Sequence, residues 1–162
     1  MSATVTTANA AASDARLNAI IPQRSLKEFA RIVSFLNKIG DELNVEAGPN
    51  KLRLSAVNPA RTVFASTWFG KGFFDEYKGA VPGGPILRCQ MPNKVAPTNQ
   101  HRPTNFITRQ AVQLVFKQKA SLEKTVERCV ITLNPRECRL NFQLQCKHGW
   151  FGVGVGGALG TL

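Results

Sequence analysis

SLKEFARIVSFLNKIGDELNVEAGPNKLRLSAVN, residues 25–58, reads as one amphipathic helix followed at once by two alternating strands. Ser25 and Glu28 have the S-x-x-E spacing of a capping box, which predicts a helix start there. Leu26, Phe29, Val33 and Leu36 recur at helical spacing and form an apolar stripe, widened by Ile32, Phe35 and Ile39. Lys27, Arg31, Ser34 and Lys38 line a different face, with no acid among them. Gly40 is placed to end the helix in a left-handed conformation. Beyond it, Leu43, Val45 and Ala47 alternate with Glu42, Asn44 and Glu46. After a Gly48-Pro49-Asn50 turn, Leu52, Leu54 and Ala56 alternate with Lys51, Arg53 and Ser55, as in two half-buried antiparallel strands.

The chain of 162 residues is long enough for one domain with a proper core, and 43% hydrophobic content is globular rather than disordered. A net charge of +11 points to a polyanionic partner. All 21 lysines and arginines fall between Arg16 and Lys147, so the charge belongs to the folded part and not to a basic tail. Cys89, Cys129, Cys138 and Cys146 show no C-x-x-C pair and no metal-finger spacing. Three of them sit at apolar positions of strand-like runs, which predicts buried thiols and a reducing compartment. The first residues, MSATVTTANAAASDA, lack the basic start and apolar run of a secretory signal, and no stretch is long enough to span a membrane. They read as a disordered lead, 1–14, before a single domain over 15–148, and an intracellular location is expected.

Arg16–Pro22 is a short apolar run ended by proline, expected to be a strand. Arg61–Phe69 should be a third strand after the Asn58-Pro59-Ala60 turn. Its Phe64 and Trp68 fall on one side and Val63 and Ala65 on the other, suggesting burial or pairing on both faces. GKGFFDEY reads as one helical turn docking Phe73 and Phe74, and a Gly/Pro loop leads to a short strand at Ile86–Cys89. Residues 90–109 are proline-rich and aperiodic, an irregular insertion. Gln110–Leu122 resumes helical spacing, with Val112, Val115, Phe116 and Leu122 on a buried side and Arg109, Gln113, Lys117 and Lys124 around a basic one. Val126–Leu133 and Cys138–Cys146 alternate cleanly on either side of an Asn134-Pro135 turn. The last residues, GWFGVGVGGALGTL (149–162), hold six glycines and no charge, and read as too glycine-rich for a good strand.

The chain thus repeats one architecture: strand, basic-faced helix, strand, turn, strand. The fold class is α+β, with both helices on one face of a mostly antiparallel sheet and the second unit incomplete. Two basic rows would lie on the same side.

Several runs carry a family likeness: KIGDEL (38–43), KLRLSAVN (51–58), Phe73-Phe74 ahead of Tyr77, ILRC (86–89), Val115–Lys117, LEKTVERC (122–129) and RLNFQLQCKHG (139–149). Together they resemble the Rad-nine-type subunits of the DNA-damage checkpoint clamp, over 16–149 with a gap at 90–109. The resemblance implies a DNA-clamp fold in a heterotrimeric ring, with helices lining a channel around duplex DNA and subunits joined at sheet edges. It implies as partners the Hus-one-type and Rad-one-type subunits, the checkpoint clamp loader and double-stranded DNA, with no membrane, in the nucleus. By position, Lys27, Arg31, Lys38, Arg109, Lys117 and Lys124 would face the channel and attract phosphates without reading sequence. The likeness covers one clamp domain where the family has two. Against the family pattern, the 90–109 insertion and the 149–162 tail look like unspliced or misframed sequence of a truncated gene product.

No catalytic constellation stands out. Asp41, Glu42 and Glu46 flank one strand, Asp75 and Glu76 sit in a turn, and surface solubility explains them better than a metal cluster. His101 and His148 have no placed Ser or Cys partner, so no enzyme, cofactor or metal is expected. The alternative to a clamp subunit is an isolated interaction module that binds clamp partners without encircling DNA. A single-stranded nucleic-acid binder is a third reading.

Overall fold

The computed structural model describes residues 16–92, 115, 116, 122 and 124–156. Strand β1 (Leu17–Pro22) leads directly into helix α1 (Gln23–Ile39). The hairpin of β2 (Glu42–Ala47) and β3 (Lys51–Val57) follows, then β4 (Phe64–Gly70), a 3₁₀ turn at Lys71–Phe73, β5 (Glu76–Lys78) and β6 (Leu87–Pro92). The second half gives β7 (Val126–Asn134), β8 (Arg139–Cys146) and β9 (Gly149–Gly156). The strands form two antiparallel sheets rather than one: β5-β1-β7-β8-β9, and β4-β3-β2-β6.

α1 begins two residues before the capping box, straight after Pro22, and no side chain caps it. The strand runs into the helix without the intervening turn in which a Ser25 cap would be useful. Leu26, Phe29, Ala30, Val33 and Leu36 are buried as the spacing requires. Phe35 is not part of that stripe. At 100° per residue it falls almost opposite the stripe's centre, and it is 54% exposed. Gly40 does end the helix, but in an extended conformation, φ −145°. Glycine is needed there for a different reason: a Cβ would overlap the carbonyl oxygen of Val57, where the chain passes the end of β3.

The core fills the space between the two sheets and α1. Phe29 and Val33 of α1, Leu52 and Leu54 of β3, and Ile131 and Phe142 of the five-stranded sheet meet around one small void. A run of aromatic contacts crosses it: Phe69 to Phe29 (5.1 Å between ring centres), Phe29 to Phe116 (5.4 Å), Phe116 to Phe142 (5.3 Å). Val115, Phe116 and Leu122 are buried, as the spacing of that segment predicts. The rest of the expected second helix lies outside the described residues.

The sheets are stitched at two further places. Tyr77 of β5 places its hydroxyl 2.9 Å from Gly48 O and 2.7 Å from Lys51 O, sharing one proton between the carbonyls of the β2–β3 turn. Burial pushes this phenol up to about 12. Cys89 of β6 meets Cys138, which takes a left-handed φ of 46° in the β7–β8 turn. The four cysteines are thiols rather than disulfides; Cys89, Cys129 and Cys138 are buried and Cys146 half-buried.

Two further expectations are corrected. The glycine-rich stretch does form a strand: β9 pairs with β8 at eight positions, from Cys146↔Gly149 to Arg139↔Gly156. It supplies the closing strand that the second unit had seemed to lack. Ladder hydrogen bonds need backbone only, so they outweigh the entropy glycine loses, about 0.5–1 kcal/mol per residue relative to alanine. Gly149 itself has φ +145°, which a side chain would strain. At the other boundary, the insertion begins later than expected, because Gln90, Met91 and Pro92 continue β6 opposite Asn44, Leu43 and Glu42.

Candidate nucleic-acid interface

Lys27, Arg31 and Lys38 all lie exposed on the side of α1 away from the core. From Lys27 to Lys38 the row spans about 16 Å at 1.5 Å per residue. Ser34, within the row, is half-buried and donates its hydroxyl to Ala30 O at 2.8 Å, so it serves the helix rather than a ligand. Arg31 and Lys38 have no ion-pair partner among the described residues. The first turn contains no acid, and Arg24 and Lys27 add charge to the positive end of the helix dipole. Arg24 is partly neutralised by Asp75 at 3.1 Å, an exposed pair. The α1 surface is therefore a short cationic ridge, with Phe35 exposed beside Arg31.

Lys124 is also exposed, two residues before β7. Arg109 and Lys117 lie outside the described residues. The edge-on contact of Phe116 with Phe29 brings the second basic segment against α1 at one point. Lys27, Arg31 and Lys38 thus share the exposed side of α1, and of the second row only Lys124 lies among the described residues.

Other candidate chemistry is dispersed. Glu46, read from the sequence as a solubilising acid, is instead an ion-pair hub: Arg53 Nη1 lies 3.2 Å from Oε2 and Arg88 Nε 3.3 Å from Oε1. Glu42 accepts from Gln90 across the β2–β6 pair. A groove of about 560 Å³ at the end of the four-stranded sheet mixes Asp41 and Glu42 with Asn44, Asn58, Arg61 and Gln90, a lining that does not favour phosphate. Among the described residues no three His, Cys, Asp or Glu are placed to share a cation. The Cys89 thiol is pushed up to about 12, first by burial and then by its hydrogen bond and electrostatic interaction with Cys138. Burial alone pushes Cys129 to about 12. Neither is poised as a nucleophile.

Sequence reasoning missed the aromatic–cation stacking on the outer sheet face, where Lys51 and Arg53 cover Trp68. The strand alternation contained the signal: it puts Arg53 and Lys51 on the face opposite Leu52 and Leu54.

Among the described residues, the nine strands in two antiparallel sheets, with a cationic helix packed across them, are those of a sliding-clamp fold. The solved PCNA2–PCNA3 complex from Sulfolobus tokodaii has a chain that matches with a TM-score of 0.58 at 12% identity, covering 97% of this chain and 52% of that one. Within that class the family is specific. The family model for Rad9 matches residues 29–151, through the insertion and into the start of β9, and the chain belongs to the Rad9 family. The DNA repair protein rad9 of Schizosaccharomyces pombe is 27% identical over 140 residues, covering 77% of this chain and 33% of the relative. That of Schizosaccharomyces octosporus is 24% identical over 145 residues, covering 80% and 33%. The chain spans about a third of the length of these curated relatives.

Proposed function

We propose that this chain is a subunit of a DNA-damage checkpoint clamp, acting in repair by sliding on duplex DNA within a heterotrimeric ring. The observation that carries the reading is the cationic ridge of α1 in a Rad9-family chain of clamp fold. In such a ring α1 faces the channel, and Lys27, Arg31, Lys38 and Lys124, with Arg109 and Lys117, attract phosphates. Long side chains spaced along a helix suit contacts that form and break as the ring moves, and they read no sequence. The partners are the two other clamp subunits, joined at sheet edges, and the clamp loader. The subunit works in the nucleus as a scaffold, not a catalyst.

The test is co-expression with the two other subunits, followed by loading on nicked circular DNA. Near-equimolar co-purification is expected, with retention on the circle that is lost on linearisation and as salt rises. A chain that remains monomeric beside folded partners would overturn the ring and leave the interaction module. Tight binding of single-stranded DNA by the monomer would favour the third reading.

A further inference from the structure

We propose that the outer face of the four-stranded sheet, centred on Lys51, Arg53, Phe64 and Trp68, is a docking surface for an acidic segment of a partner protein that also carries apolar side chains. Leu52, Leu54 and Ala56 of β3 point into the core, so Lys51, Arg53 and Val57 point to the opposite side, away from α1. β4 pairs with β3 so that Trp68 stands across from Arg53 and Phe64 across from Val57. The two rings are 51% and 57% exposed, on an edge strand. Isolated exposed apolar residues are ordinary, whereas Phe64 paired with the exposed Val57 and bridged to Trp68 by Arg53 makes a contiguous patch.

The patch is ordered by its cations. Lys51 Nζ sits 4.1 Å from the Trp68 ring centre and the Arg53 guanidinium 4.8 Å, with Arg53 also 5.6 Å from Phe64. Arg53 is anchored on Glu46, which also holds Arg88, and Arg53 Nε has no hydrogen-bond partner among the described residues. One carboxylate thus serves two guanidiniums, and Lys51 adds a third positive charge. Fixed positive charge beside exposed rings is complementary to carboxylates interspersed with apolar side chains.

The given sequence holds no acidic run outside the described residues. Residues 1–15 hold only Asp14, 93–114 hold Lys94, Arg102 and Arg109 with no acid, 117–121 hold Lys117 and Lys119, position 123 is a single glutamate, Glu123, and 157–162 are uncharged. The occupant we commit to, on the charge complementarity of the face, is an acidic segment of another protein. A nucleic-acid strand fits less well, because Lys51 and Arg53 lie over the Trp68 ring that a base would need for stacking.

The experiment uses the full chain and a fluorescein-labelled, glutamate-rich peptide with spaced phenylalanines, followed by anisotropy. The expected result is salt-sensitive binding that weakens with the glutamine analogue. Trp68→Ala and Lys51→Glu should each weaken it roughly tenfold, with circular dichroism unchanged. Lys51→Glu is the safeguard if Trp68→Ala does not fold, since Lys51 is exposed. Lys27→Glu with Arg31→Glu should leave it unchanged. The proposal is overturned by no binding, by equal weakening from the α1 variant, by indifference to Lys51→Glu, or by an oligothymidylate that binds through Trp68 more tightly than the peptide.

Discussion

The exposed face of α1 and the outer face of the four-stranded sheet are both built from lysine and arginine, yet they hold their charges differently. On α1, Arg31 and Lys38 stand without ion-pair partners among the described residues, about two turns apart on a ridge. On the sheet, Arg53 and Arg88 share Glu46, and Lys51 and Arg53 lie on Trp68. A helix spaces its exposed side chains over turns, and the strand spacing of about 4.8 Å brings neighbours into contact. The ridge therefore offers long-range attraction with little shape. The sheet face offers shape with its charge partly spent on internal pairs. The same residue types suit the proposed sliding contact in one setting and the proposed docking surface in the other.

The largest effect should come from breaking the ridge. Lys27→Glu, Arg31→Glu and Lys38→Glu together should reduce duplex retention by the assembled ring roughly a hundredfold, with the log–log salt slope falling by about 0.9 per lost phosphate contact. Lys51→Glu with Arg88→Gln, on the other face, should leave that slope unchanged. Filter binding across a salt series measures both, and equal losses from the two variants would erase the distinction.

The frame that holds the two faces apart should fail at alkaline pH. Tyr77 and Cys89 lie where the sheets touch, and Cys129 is in the core; all three are pushed up to about 12, from 10.0 for the phenol and 9.0 for the thiols. The unfolded chain releases these protons first, so the folded state binds more of them between about pH 9 and 12. Their stabilising effect is complete below pH 9 and is lost as pH rises toward 12, by at most about 1.4 kcal/mol per pH unit for each group. Urea midpoints at pH 8, 9 and 10 should fall progressively, and Tyr77→Phe should flatten the decline. A constant midpoint would contradict the burial of these groups.

Gly40→Ala strikes the same frame at the link between α1 and β2. The added methyl meets the Val57 carbonyl, a backbone atom that cannot swing aside. The expected cost is about 2–3 kcal/mol, read from urea denaturation. Gly72→Ala, where a Cβ meets nothing within 4 Å, should cost much less.

The local elements were legible because their periodicity is strong. Alternation at Leu43–Ala47, Lys51–Val57 and Arg139–Cys146 leaves one reading for each strand, and the stripe from Leu26 to Leu36 leaves one for α1. The arrangement was not legible. β1 pairs with β7 across more than a hundred residues, and nothing in Leu17–Pro22 announces that partner or the second sheet. β9 was missed because its pairing is carried by backbone, which glycine-rich sequence provides without a side-chain pattern. The cations of α1 followed from the helical wheel, which also places Phe35 among them. The role of Glu46 depends on Arg53 and Arg88 arriving from both flanking strands, and only the sheet order reveals that.

The smallest effect tests whether the sheet face is indeed pinned by its own pairs. Glu46 and Arg53 side chains are 26% and 27% exposed, against 71% and 48% for Arg24 and Asp75. Screening and side-chain entropy leave little net gain in the exposed pair, so Asp75→Asn should change stability by no more than about 0.5 kcal/mol. Glu46→Gln removes a carboxylate from two guanidiniums, one of them Arg53 with a buried Nε that already has no partner, and should cost about 1 kcal/mol. Trp68 emission, isolated in a Trp150→Phe background, should shift with Glu46→Gln as Arg53 loosens over the ring, and should not respond to Asp75→Asn. If Glu46→Gln changes neither stability nor emission, Glu46 does not anchor the face, and the contrast with α1 reduces to one of position alone.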